Sequence, residues 1–309
     1  MQPSLGCAAS RNCVFDVTTE LQQNSHSFAK LYDMTSSPPR KDLPSLDTLG
    51  RDLLYVSRAR RALSLATPFV LTATFFMLAH RAGQHPSLWF AALACPVALS
   101  FLTYASTSHD LVHRNLHVPL WLNEALLSAV ELLAFRSGHA YRAVHINHHA
   151  HYPADGDLEG AAAKMSFVRA LLEGVTLQYK LWWFALQRPG KQRMWVMLEG
   201  ITAMLLLAGC VALWPVTHLP AMYAALMIVG SWVYPLATAY IVHVPEGPDE
   251  VHQTRLFRGR LLEILALEHL FHLEHHLYPQ VPHQNWPKLA RRLDPYFEQM
   301  GLKPIKLFF

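Results

Sequence analysis

The chain has 309 residues, 52% of them hydrophobic and only 16% charged, and its mean hydropathy is +0.14, a balance that leans away from the ordinary soluble domain toward a membrane protein. The formal net charge of +4 does not call for nucleic acid, because the basic residues cluster beside apolar runs: Arg58, Arg60 and Arg61; Arg188, Lys191 and Arg193; Arg255, Arg258 and Arg260. The positive-inside rule predicts such clusters.

Residues 1–50 are polar, include the run SSPPRK and have no sustained apolar period, so a disordered or loosely attached tail is expected, with no secretory signal. A start at Met34 would leave everything downstream intact, so residues 1–33 read as an upstream extension. Residues 51–309 are expected to form the membrane domain. Apolar stretches at about 62–80, 87–107, 195–215 and 219–242 are each near the roughly 20 residues that cross a bilayer. Residues 120–135 are apolar but short and contain Glu124 and Glu131, which predicts an interfacial or protein-buried helix. Residues 166–187, with Trp182 and Trp183, belong at the membrane surface. Of the four cysteines, Cys7 and Cys13 lie in the tail and Cys95 and Cys210 inside spans; no CxxC pair occurs, so neither a disulfide framework nor a thiolate metal site is indicated.

Three histidine clusters interrupt this pattern: HDLVH at 109–113, HINHH at 145–149 and HLEHH at 272–276. On helices, residues i, i+3 and i+4 share a face. His145, His148 and His149 therefore project together, as do His272, His275 and His276, with His109 and His113 as a matching pair. Eight imidazoles are too many for one ion, since a closed structural zinc site takes four ligands. Two metals are expected, and imidazole alone leaves zinc, copper, iron and nickel open. The basic residues before span one and around the second pair of spans put those ends in the cytoplasm. The boxes then share the cytoplasmic face with both termini, in a bacterial inner membrane or the endoplasmic reticulum alike. The fold class is thus an all-α integral membrane protein: four transmembrane helices in two hairpins, interfacial helices and a cytoplasmic helical cap carrying the boxes.

The order HxxxH, HxxHH, HxxHH, the last continuing as HLEHHLYPQVP over about residues 50–295, resembles the membrane fatty acid desaturase and hydroxylase superfamily. The resemblance implies a non-haem di-iron centre that uses O2 against unactivated C–H bonds of a lipophilic substrate. It also implies a ninth ligand, His243, at the end of the last span, and the segment QTRLFRG at 253–259 is similar to the family's connection to the third box. The implied ligands are His109, His113, His145, His148, His149, His243, His272, His275 and His276. Asp110, Asp157, Glu268 and Glu274 are expected to accept the second N–H of ligating histidines. Tyr141 and Arg142 resemble the family's segment before box two and are expected to hold that helix. His117, His139, His151 and His269 are expected in supporting or packing roles, and His26, His80, His85, His218, His252 and His283 in none toward metal.

Fatty-acyl desaturation is the favoured outcome. Carotenoid or related isoprenoid hydroxylation or ketolation is the alternative, because the compact chain and the HDLVH box fit that branch too. A metal transporter would carry its ligands within the spans, where only His243 touches one; a lipid-binding protein that keeps metal for structure is a further non-enzyme alternative. No haem-binding, iron–sulfur or nucleotide motif is visible. An external ferredoxin or cytochrome b5 is therefore expected to supply electrons, docking on Arg255, Arg258 and Arg260.

Overall fold

The computed structural model describes residues 43–259 and 270–307. The chain divides into two units, Met1–Leu43 and Pro44–Phe309, and every element below belongs to the second. The expected tail lies outside the described residues up to 42, but its last residues are folded. Ser45 caps the short helix α1, Leu46–Leu49, by accepting from the Thr48 N–H, and the Pro44 carbonyl accepts the Tyr278 hydroxyl at 2.7 Å.

Helix α2, Arg58–Ala82, starts at Ser57, whose hydroxyl accepts from the Arg60 N–H. Its first turn holds three arginines, against the preference of the helix dipole for negative charge there; their placement follows the membrane-flanking rule instead. Helix α3, Leu88–Phe101, packs on α2 and passes through a π-helical segment, Leu102–Ser106, into α4, Thr107–His113. A second π segment, Pro235–Tyr240, follows α9, Leu219–Ser231. Each π segment lies just before a predicted ligand, His109 or His243, and such insertions re-aim the side chains that follow. With α8, Gln192–Ala212, the described residues contain four helices long and apolar enough to cross a membrane: Arg51–Ala82, Leu88–His113, Gln192–Ala212 and Leu219–Tyr240.

Helix α5, Leu120–Leu132, is not among them. Its Asn123, Leu127, Val130 and Glu131 are buried, and Glu131 pairs with the buried Arg136 at 2.8 Å, so the carboxylate faces protein rather than lipid. Helix α6, Gly138–His151, carries box two and is capped by Ser137. Helix α7, Phe167–Leu186, is amphipathic in an inverted sense: Ala170, Gly174, Leu177 and Leu181 are buried while Val168, Leu172, Tyr179 and Trp183 are exposed. This leaves a large apolar face with Trp and Tyr turned outward. Gly174 permits its close approach to the end of α9, since a Cβ there would lie 1.9 Å from the Trp232 carbonyl oxygen. Leu111, Leu127, Val144 and Leu177 join α4, α5, α6 and α7 in one core, which fixes boxes one and two relative to each other. Box three lies on α10, His272–Leu277, followed by α11, Trp286–Gln299. A short parallel pair, Phe257–Arg258 with Ile305–Lys306, ties the C-terminal end to the segment before box three.

Candidate metal centre

All nine predicted histidines come together, in two groups. His109, His113, His145, His149 and His275 form one; His148, His243, His272 and His276 form the other. Within each, one potential ligand atom per residue lies within 4.8 Å of all the rest. The division cuts across boxes two and three. At about 100° per residue, i and i+4 lie about 40° apart while i+3 falls about 60° to the other side. The pair His145 and His149 therefore joins one group and His148 the other, and in box three His272 and His276 separate from His275 in the same way. The sequence predicts one shared face; the structure divides the histidines of boxes two and three between two groups.

Ring-nitrogen geometry supports cations at both. His145 Nδ1 lies 2.9 Å from the Glu159 carboxylate, and His148 Nδ1 lies 2.6 Å from that of Asp157. An acceptor-only carboxylate fixes the proton on Nδ1 and leaves a lone pair on Nε2. Yet His145 Nε2 lies 3.0 Å from His109 Nε2, and His276 Nε2 lies 3.2 Å from His148, 3.2 Å from His243 and 3.0 Å from His272. One proton cannot satisfy three converging nitrogens, whereas a cation can. His113 Nε2 is buried with no hydrogen-bond partner among the described residues, as expected of a donor atom meant for metal. Burial, reinforced by the neighbouring imidazoles, holds His149, His275 and His276 well below the ordinary histidine range, so they stand neutral and ready to ligate. For His148, burial lowers the pKa, but the hydrogen bond to Asp157 and the Glu159 charge outweigh it and raise it.

The supporting residues differ from expectation at several points. Asp157 does accept from His148, but Asp110 accepts from His283, at 2.6 Å from the ring and 3.0 Å from its backbone N–H. His283 thus fastens the loop after box three to box one. Glu274 pairs with Arg258 at 2.7 Å rather than with a histidine. Glu159 has a role that no periodicity announces: it lies in the loop after α6, where its own N–H and that of Gly160 donate to Asp157. Arg142 holds its helix as expected, through Glu124 and the Leu111 carbonyl, and His139 is buried beside it. His117 is exposed and bonds the Leu54 carbonyl, and His151 bonds its own helix at Asn147. Glu268 and His269 lie outside the described residues.

Trp286 is a further residue that sequence spacing misses. It is fully buried, and its ring lies 5.3 Å from that of His109 and 5.0 Å from that of His275. It lines a small cavity with Tyr104, Tyr141 and Thr238 against His109, His145 and His272, so that side chains of both groups face one space. Two of the arginines assigned to donor docking are engaged by the chain itself. Arg258 bonds Asp294 at 2.5 Å as well as Glu274, and Arg255 bonds the Tyr240 and Ile241 carbonyls; Arg260 lies outside the described residues.

Residues 85–307 match the family described as Fatty acid desaturase. The chain belongs to the fatty acid desaturase family. The match takes in all three boxes, His243 and three of the four apolar helices. Membership makes the protein a desaturase-like oxidoreductase of lipid metabolism, and the two histidine groups fit a metal site. No individual curated protein matches the chain.

Proposed function

We propose that the protein is an O2-dependent, non-haem di-iron desaturase of fatty-acyl chains. One iron is held by His109, His113, His145, His149 and His275, the other by His148, His243, His272 and His276. The observation that carries this reading is the convergence of nine imidazoles into two groups whose side chains line one cavity, in a chain of this family. Imidazole alone does not select iron; family membership supplies that choice.

When bound, the iron pair supplies the oxidising power that removes two hydrogens from an unactivated part of the acyl chain. The protein's own residues do the rest. Glu159 and Asp157 orient His145 and His148 so that Nε2 faces the metal. Burial of the cluster keeps water from the reacting carbons, and Tyr104, Tyr141, Thr238 and Trp286 bound the space beside the histidines. The apolar outer face of α7 fits a surface helix that admits chains from the lipid.

In this reading residues 51–309 form the membrane domain behind a polar tail. The four spans pair as two hairpins, and both termini and the boxes lie on the cytoplasmic side, as the arginines at the start of α2 favour. Electrons come from a separate ferredoxin or cytochrome b5. The test is the lipid profile of cells expressing the wild type beside His275→Ala. New double bonds in fatty acids, absent with the variant, are expected; oxygenated carotenoids without new acyl double bonds would overturn the assignment.

A further inference from the structure

A second buried cluster of charges lies beside the histidines but includes none of them. His139 is fully buried, with Nδ1 2.7 Å from the Glu199 carboxylate and Nε2 2.8 Å from that of Glu124. Its ring lies parallel to Trp195 at 4.8 Å. Two acceptor-only partners require a proton on each ring nitrogen, so the ring bridges α8 and α5 as a cation. Glu199 also accepts from the hydroxyls of Ser128 and Ser137 and from the His139 N–H. Glu124 also takes Arg142 and Arg114.

The chain of contacts continues to box one. Arg142 donates its Nη2 to the Leu111 carbonyl at 2.9 Å, and Asn123 donates its side-chain amide to the same oxygen at 2.9 Å. Leu111 stands between His109 and His113 on α4. Glu199, His139, Glu124 and Arg142 therefore link α8, α6 and α5 to the backbone of the helix that presents box one. Box one serves only the five-histidine group. Box two has its own fastening, through Glu159 and Asp157 at the far end of α6.

We propose that His139 is a positioning residue for box one: by bridging Glu124 and Glu199 it holds Arg142 on the Leu111 carbonyl, and so aims His109 and His113 at the five-histidine centre alone. The inference rests on the two-ion reading above. It predicts selective rather than general damage, because removing the ring loosens the ligands of one centre and none that belong only to the other.

The test is Co(II) binding to the metal-free full-length protein in detergent, followed by equilibrium binding and visible absorption. The wild type is expected to bind two ions. His139→Gln should bind one, with the spectrum of the ion that survives in His113→Ala and not that of the ion that survives in His243→Ala. If His139→Gln does not accumulate, Asn123→Ala, which removes an uncharged donor to Leu111, carries the same test and should weaken one ion selectively. Two ions bound with wild-type affinity by the variant would overturn the proposal, and so would loss of both ions together. A wild type that binds fewer than two ions overturns the two-ion reading itself, a failure visible before any variant is made.

Discussion

The five-histidine group takes both ligands of box one, while the four-histidine group takes none of them and is completed by His243 from beyond the π segment of the fourth apolar helix. Their surroundings differ in the same sense. Around the first, Trp286 packs on two of its rings and Asp110 ties box one to His283. Around the second, Asp157 fixes His148, and the Tyr152 ring packs at a tilt against that of His243, 4.4 Å between centroids. The two groups are thus supported by different parts of the chain, which makes them separable by mutation.

The largest effect is expected from ligands unique to one group. His113→Ala should abolish the first ion and His243→Ala the second, each leaving the other measurable by metal analysis; loss of both from either variant would break the comparison. Next comes Trp286→Ala, which empties a fully buried aromatic site and should cost about 3–5 kcal/mol of stability. Thermal unfolding in detergent reads that loss, and the remaining metal deficit should fall on the five-histidine group. Smaller again, Glu159→Gln and Asp157→Asn should each weaken metal binding by about 10- to 100-fold, the former at the first ion and the latter at the second. Equal effects on both ions would argue that the carboxylates serve the cluster as a whole. Smallest is Tyr152→Phe. The Tyr152 hydroxyl is buried without a hydrogen-bond partner among the described residues, so its removal should leave melting temperature and metal content unchanged or slightly improved.

The convergence of the boxes was legible in the sequence because helical spacing brings the histidines of each box toward a common side, His243 was suggested by the family resemblance and not by spacing, and the apolar runs carry their own length signal. The split of boxes two and three between the two groups was not legible. It depends on how α6 and α10 are rotated toward each other, which is set by packing partners such as Leu127, Val144 and Trp286 rather than by local spacing. The same limit applies to the carboxylates. Asp157 was accessible as a nearby acid, but Glu159 reaches His145 only through the turn that Asp157 caps. Asp110, set between the two histidines of box one in sequence, accepts from His283. Arginine clusters were the least informative. One cluster precedes the apolar run of α2 as expected, whereas Arg258 proved to be a partner of Glu274 within box three.

The central claim is that nine histidines hold two irons that oxidise lipid. It is tested most directly by the iron content of the purified wild type, measured with its O2-dependent lipid oxidation beside His148→Ala and His275→Ala. Two irons per chain in the wild type, with fewer irons and no lipid oxidation in each variant, is the predicted result. A wild type that takes up no iron, or variants that keep both irons and full oxidation, would contradict it.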